Sequence, residues 1–324
     1  LSDPELAGAN ITDKSRCTVN SDNESKTHAT AIASLLVSKN YGLLPDATLY
    51  SYQTSFRDQE PSADCNPETG TALDKLGALI NFAINDGAQI ITISIAAGQI
   101  DAKFEPVLNA ALSRAINQGI IVVTGMGNTS TDNDGGSYAS RNGFVGVSAV
   151  NLDGSFALDY SSFGDSVTTA AFGGPIKVRD YDKGNIGDMR GTSIATPIVA
   201  ASLALARQKW PDATSNQLLQ SLIHTGLSPQ HEWNQYTGYG PVDIGALVNT
   251  DPSQYPDDNP VIHKSDDAYP TAEMTRDYGD GRADPQLGRY DNTYVYRGTD
   301  DIYIHAEYLT QTPHLGTSPA YHRK

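Results

Sequence analysis

The segment Gly191-Thr192-Ser193-Ile194-Ala195-Thr196-Pro197 continues into an apolar run from Val199 to Leu205 and is the most informative stretch of this chain. The apolar run predicts a helix, and the glycine allows a sharp turn where that helix begins. One interpretation is a capped helix start, because serine is a favourable N-cap residue. The other is chemical, because the free N–H groups at a helix N-terminus stabilise a developing negative charge beside Ser193.

Strand-like and helical stretches alternate on both sides of this segment. The predicted strands cover residues 48–53, 89–95, 119–123, 144–150 and 166–171. The predicted helices cover residues 71–86, 104–117, 193–210 and 216–225. The strands at 89–95 and 119–123 are almost entirely apolar, which is typical of strands buried on both faces of a parallel sheet. The alternation therefore predicts an α/β fold with a mostly parallel sheet.

The composition excludes several classes of protein. The formal net charge of −16 argues against a nucleic-acid partner, because phosphate binding needs a basic surface. There is no apolar run of about 18 residues, the length that a membrane-spanning helix requires. Residues 1–10 lack the features of a signal peptide, so we expect a mature, trimmed or cytoplasmic chain. Cys17 and Cys65 are too few for a disulfide framework or a metal site, and in a secreted protein they either form one bridge or stay free.

The character of the chain changes after about residue 248. Residues 251–324 are rich in Asp, Tyr, Pro and Gly and show almost no helical periodicity, although 294–297 and 302–308 are candidate strands. We therefore interpret residues 1–248 as one domain and residues 249–324 as an acidic tail or linker.

Two other segments carry side chains that complement Ser193. His28 begins an apolar helical stretch, and Asn128 lies among glycines after the strand predicted at 119–123. A serine hydroxyl needs a base within hydrogen-bond reach to become a nucleophile, and one amide donor to an oxyanion is worth about 3 kcal/mol. Taken alone, each residue has an alternative interpretation: His28 as a structural histidine and Asn128 as a turn residue. Their occurrence together at strand–helix junctions favours the chemical interpretation.

These residues resemble the motifs of the subtilisin-like serine proteases (subtilases) over about residues 1–248. The resemblance is carried by 191–197, by His28 to Ala33, by Gly127-Asn128, by Ser94 to Gly98 and by Tyr160 to Gly164. It implies a three-layer α/β fold, with helices on both faces of the sheet, in a secreted or cell-surface endopeptidase. Ser193 would be the nucleophile, His28 the general base and Asn128 the oxyanion donor.

The resemblance also implies a binding site for an extended peptide or protein substrate, and it implies no cofactor. The residues that would bind the substrate are Ser94, Ile95, Ala96, Gly98, Met126 and Gly127. Met126 is bulkier than the small residue usual at this place, which predicts a narrowed primary pocket. Residues 38–43 are shorter than the calcium-binding loop of many subtilases, so no metal site is predicted.

One part of the expected site is missing. Subtilases carry a catalytic acid before the histidine, at the end of the first core strand. The opening residues resemble the family's segment just after that acid, which places the acid itself a few residues upstream of Leu1. Asp3, Asp13 and Asp22 are predicted to lie in loops and are not candidates.

The missing acid has two interpretations. In the first, the acid and its strand come from sequence upstream of Leu1 or from a separate N-terminal segment. In the second, the chain is an inactive subtilase relative that serves as a peptide-binding or scaffold module. The first is favoured, because loss of a central strand leaves buried backbone groups unpaired at about 1–3 kcal/mol each. A processing peptidase for one precursor is a further possibility.

Overall fold

Four parallel strands form the central sheet, in the order β3-β4-β5-β6. The computed structural model describes residues 3–55, 62–66, 72–95, 103, 105–133, 137–228, 232–284, 286–288 and 290–293. The strands of this sheet are β3 (Ile90–Ile93), β4 (Ile121–Gly125), β5 (Phe144–Val150) and β6 (Thr169–Phe172). Every residue of β4 and β5 is buried, as expected for strands covered on both faces. The mostly parallel sheet predicted from the sequence is confirmed.

Helices cover both faces of this sheet. They are α1 (Asn23–Val37), α2 (Leu76–Asn85), α3 (Pro106–Gln118), α4 (Thr192–Lys209), α5 (Ser215–His224), α6 (Ile244–Asn249) and α7 (Ala272–Gly279). Because side chains alternate along a strand, Val122 packs on the side of α2 and α3, whereas Val123 packs on the side of α4 and α5. The fold therefore has the three layers that the resemblance implied. Within the described residues, none of these helices has the length and apolar character to cross a membrane.

Two smaller strand pairs lie beside the central sheet. Strands β1 (Ile11–Asp13) and β2 (Leu49–Ser51) are parallel and are connected through α1. Strands β7 (Ile176–Arg179) and β8 (Ile186–Met189) form an antiparallel hairpin just before α4. The sequence analysis missed β1, β7 and β8, because runs of three or four residues carry little periodicity.

The placement of Asp13 in a loop was wrong, because Asp13 is the last residue of β1. Its carboxylate accepts hydrogen bonds from the Ser15 backbone N–H at 2.9 Å and from Gln53 Nε2 at 3.0 Å. The Asp13 carboxylate is therefore bound by neighbouring groups at the end of β1.

Part of the segment beyond residue 248 packs on the body of the molecule. Helix α7, which the sequence pattern did not predict, lies against α3, and Tyr278 and Asp291 are buried. Asp291 forms an ion pair with Arg114 of α3 at 3.1 Å, and both side chains are 1% exposed. The helix was missed because polar contacts, rather than an apolar stripe, fix this segment. The candidate strands at 294–297 and 302–308 lie outside the described residues, and the domain boundary near residue 248 stays a prediction.

Cys17 and Cys65 are joined in a disulfide. The bridge ties the loop after β1 to a short 3-10 turn at Ala63–Cys65. Of the two alternatives left open by the sequence, the structure therefore shows the bridge.

Candidate active site

Ser193 lies in the first turn of α4, against the carboxyl end of β3. Its Oγ donates a hydrogen bond to the Ser94 carbonyl at 3.2 Å, and Ser94 Oγ donates to the Ser193 carbonyl at 3.1 Å. Ser94 directly follows β3. This reciprocal pair fixes the start of α4 at the edge of the sheet where ligands of open parallel sheets commonly bind.

Asn128 lies in the loop after β4 and is held against the same helix start. Its Oδ1 accepts hydrogen bonds from the Thr192 N–H at 2.8 Å and from Thr192 Oγ1 at 3.2 Å. Gly191 leaves room for this amide, because a Cβ there would lie 2.9 Å from Asn128 Nδ2. No described residue accepts a hydrogen bond from Asn128 Nδ2 or from the Ser193 N–H. Two donors without an acceptor among the described residues therefore lie at the start of α4, one on Asn128 and one on Ser193.

The sequence analysis missed two residues that hold the Asn128 loop. Thr192 Oγ1 also accepts a hydrogen bond from the Gly127 N–H at 3.2 Å. On the other side of the loop, the Ser162 N–H donates to the Gly127 carbonyl at 2.9 Å, and Ser162 Oγ accepts from the Thr129 N–H at 3.2 Å. Both residues belong to motifs already noted, 191–197 and 160–164, and their hydroxyl groups were the available signal.

His28 lies in the first half of α1 and is half-buried. Burial lowers the pKa of its imidazole below the ordinary value of 6.5, and the Glu24 carboxylate one helical turn earlier opposes this only in part. The imidazole is therefore mostly neutral at neutral pH, as a general base must be. It has no hydrogen bond or ion pair with any residue that the structure describes.

The structure thus brings Ser193, Asn128 and Ser94 together but does not join His28 to Ser193 by a hydrogen bond. Helices α1 and α4 do pack on each other, through Leu36 and Val37 of α1 and Ala201 of α4. The helix of the candidate base is therefore anchored to the helix of the candidate nucleophile.

The predicted substrate-binding residues differ in burial, and two of them are not described by the structure. Ser94 and Ile95 lie half-buried at the carboxyl end of β3. Ala96 and Gly98 lie outside the described residues.

The expectation for Met126 needs correction. Met126 is 0% exposed and packs against Ala139 and Val167. Its side chain therefore lies beneath the surface and does not narrow an open pocket, because side chains alternate between the two faces as β4 ends. The adjoining Gly127 is also buried and contributes backbone groups only.

Strands β2 and β3 belong to separate sheets. In the part of the chain that the structure describes, β2 pairs only with β1, and β3 is the terminal strand of the central sheet. Every residue of β2 is half-buried, and so are Ile90 to Thr92 of β3, unlike the fully buried β4. Thr92 Oγ1 is buried and has no hydrogen-bond partner among the residues that the structure describes. Among the described residues, β3 therefore has one unpaired edge that is only half-buried.

Comparison with known proteins gives consistent matches. The family model of the Subtilase family matches residues 5–240. The thermostable alkaline protease of Halalkalibacterium halodurans is 30% identical over 205 residues, covering 61% of this chain and 52% of that protein. Mycosin-4 of Mycobacterium tuberculosis is 28% identical over 260 residues, covering 69% of this chain and 57% of that protein. This chain spans about half the length of these curated relatives.

A solved structure shows the same fold. The protease domain of PatA superposes with a TM-score of 0.60 at 23% identity, covering 75% of this chain and 88% of that one.

Proposed function

Because the chain belongs to the subtilase family, we propose that it is a serine endopeptidase that cleaves peptide bonds through an acyl-enzyme intermediate. One observation carries the proposal. Thr192 holds the Asn128 carbonyl oxygen, so the Asn128 amide nitrogen and the Ser193 N–H remain available as donors. Donors preorganised in this way stabilise the oxyanion of an acyl transfer.

In the proposed reaction, Ser193 Oγ attacks the substrate carbonyl carbon and His28 accepts the hydroxyl proton. The carbonyl oxygen becomes an oxyanion, which accepts hydrogen bonds from Asn128 Nδ2 and the Ser193 N–H. His28 then donates its proton to the leaving amine as the C–N bond breaks. Water, deprotonated by His28, releases the acyl group and restores the Ser193 hydroxyl.

The substrate is a peptide or protein in an extended conformation. Such a chain would pair with the backbone at Ser94 to Gly98 by strand addition, beside the Ser193 hydroxyl. The surface is acidic overall, with a net charge of −16, so nucleic acid is not a partner in this proposal.

The carboxylate that orients His28 is proposed to come from a further strand that pairs with the open edges of β2 and β3. The open edges of both strands and the unpartnered Thr92 hydroxyl support this placement. Sequence upstream of Leu1 or a separate N-terminal segment would supply the strand. The coding sequence upstream of Leu1 tests the first source. An Asp followed by Ser or Thr and then Gly is expected there, and its absence from both that sequence and any copurifying chain would contradict the proposal.

A second candidate function is non-catalytic peptide binding. It is favoured by one observation: Ser193 Oγ is engaged by the Ser94 carbonyl, while His28 has no partner among the described residues. An inactive relative would bind extended peptides at the same edge without cleaving them.

The proposed location is outside the cell or at its surface, because the Cys17–Cys65 disulfide persists in oxidising compartments.

Incubation of the complete protein with a peptide library, read by mass spectrometry, tests these proposals together. The endopeptidase proposal predicts cleavage that Ser193→Ala abolishes and that Ser155→Ala, at an exposed turn serine, leaves unchanged. Binding without cleavage would support the second candidate and refute the first. A single cleaved sequence would identify a processing peptidase.

A further inference from the structure

The tip of the β7–β8 hairpin contacts the first two turns of α1. Asn23 Nδ2 donates to both carboxylate oxygens of Asp180, at 3.1 and 3.0 Å, and Asn23 Oδ1 accepts from the Asp182 N–H at 3.0 Å. The Tyr181 N–H donates to Thr27 Oγ1 at 2.9 Å. Thr27 directly precedes His28. We call this set of contacts the tip clamp.

The stem of the hairpin contributes little to this attachment. A cavity of about 360 Å³ lies between α1 and β7, lined by Thr30 and Ser34 on one side and by Ile176 and Val178 on the other. Strand β8 is exposed over most of its length, and a Cβ added at Gly187 would meet open space. The hairpin is therefore not held against α1 by a continuous apolar interface, and the hydrogen bonds that join it to α1 lie at its tip.

The same hairpin leads directly into the nucleophile turn. Strand β8 ends at Met189, two residues before Gly191. The Gly191 N–H donates to the Gly173 carbonyl at 2.8 Å, which ties the exit of the hairpin to the chain just before its entry. The hairpin thus leads at its base into the turn that carries Ser193, and its tip contacts α1 at the residue before His28.

We propose that Asn23, Thr27 and Asp180 are positioning residues. They attach the β7–β8 hairpin to α1 and so set the orientation of His28 relative to Ser193. The proposal rests on the proposed function, in which His28 is the base. A carboxylate that binds the imidazole orients only the ring, whereas the tip clamp fixes the backbone turn from which the ring projects. Misplacement of a catalytic group by about 1 Å costs up to about 100-fold in rate.

The test uses two measurements on the complete protein. The first is the second-order rate of Ser193 modification by a fluorophosphonate. The second is the NMR titration of the His28 ring, which does not require activity. Thr27→Val removes the hydroxyl acceptor with little change of shape, and Thr27→Ser restores it. Asp188→Asn is the matched control, because it breaks the exposed Lys177–Asp188 pair in the stem and leaves the tip intact.

Thr27→Val and Asn23→Ala are expected to slow modification about 10- to 100-fold. They should also shift the pKa of His28 from its value in the parent protein, because a looser turn changes both the burial of the ring and its contact with the orienting carboxylate. Thr27→Ser and Asp188→Asn should match the parent protein in both measurements. A His28 titration unchanged in Thr27→Val and Asn23→Ala would overturn the proposal. If the parent protein is not modified at Ser193, the proposed function fails, and the titration alone still decides whether the clamp positions His28.

Discussion

Replacing Asp291 with alanine should destabilise the folded chain by about 3–5 kcal/mol, the range for breaking a buried ion pair on one side. Asp291 and Arg114 are each 1% exposed, and their charged atoms lie 3.1 Å apart. The substitution would leave the Arg114 guanidinium buried without its counter-charge. Burial already lowers the pKa of Arg114, and Asp291 is the strongest opposing influence. It would also remove the acceptor of the Tyr278 hydroxyl and of the Thr293 N–H.

Thermal unfolding followed by circular dichroism measures this effect. For a chain of this size, 1 kcal/mol corresponds to about 2 °C, so the expected fall in midpoint is about 6–10 °C. Asp267→Ala, at an exposed acid in the same segment, is the matched control and should shift the midpoint by less than about 1 °C. The double variant Arg114→Met/Asp291→Asn should lose less stability than the sum of its single changes, because it leaves no unpaired charge. Equal midpoints for Asp291→Ala and Asp267→Ala would refute the reasoning and indicate a loosely attached tail.

Four other predictions concern the site and the fold. Asn128→Ala should slow fluorophosphonate modification by about 10²–10³-fold without a comparable loss of thermal stability, and an unchanged rate would argue against its oxyanion role. In the 324-residue chain alone, without the strand proposed to supply the orienting carboxylate, the His28 ring should titrate below 6.5 by NMR, because burial lowers its pKa, and a midpoint at or above 6.5 would contradict that cause. Because the pKa of His28 is lower in the folded than in the unfolded chain, its contribution to the unfolding free energy should be constant above pH 6.5 and should fall as the pH drops through the folded-state pKa. Urea unfolding at several pH values measures this. Cys17→Ser with Cys65→Ser should lower the unfolding free energy by about 4 kcal/mol, because the bridge spans a sequence separation of 48 residues, and an unaltered urea midpoint would contradict this.

The central sheet was predictable because its strands have a strong local signal. Strand β5 was predicted with its observed bounds, Phe144–Val150, and β4 differs from its prediction by only two residues at each end. Both strands are mostly apolar runs, so the local sequence alone already favours a buried strand. The hairpin β7–β8 was missed, because its strands are half-exposed and its residues alternate weakly.

The candidate site was predictable in its residues but not in its contacts. The Gly-Thr-Ser motif pointed to Ser193, yet nothing local showed that Thr192 would hold Asn128, 64 positions away in the sequence. Met126 was misjudged for a related reason. Its identity suggested bulk in a pocket, whereas its burial depends on Ala139 and Val167, which come from later segments.

Segment 251–293 shows the limit of compositional reasoning. Its acidic, Pro- and Gly-rich sequence is typical of a linker, but Tyr278 and Asp291 are buried against the body. The partner that makes this favourable is Arg114 on α3. A single long-range ion pair leaves no periodic trace in the sequence.

The most direct test of the central claim is to locate the residue that a fluorophosphonate modifies in the complete protein, by peptide mass spectrometry. The account predicts modification at Ser193 and at no other serine. It also predicts that His28→Ala reduces the rate to that of an ordinary surface serine, because the hydroxyl then lacks its base. Modification at another residue, or a rate that His28→Ala leaves unchanged, would contradict the assignment of Ser193 and His28 as nucleophile and base.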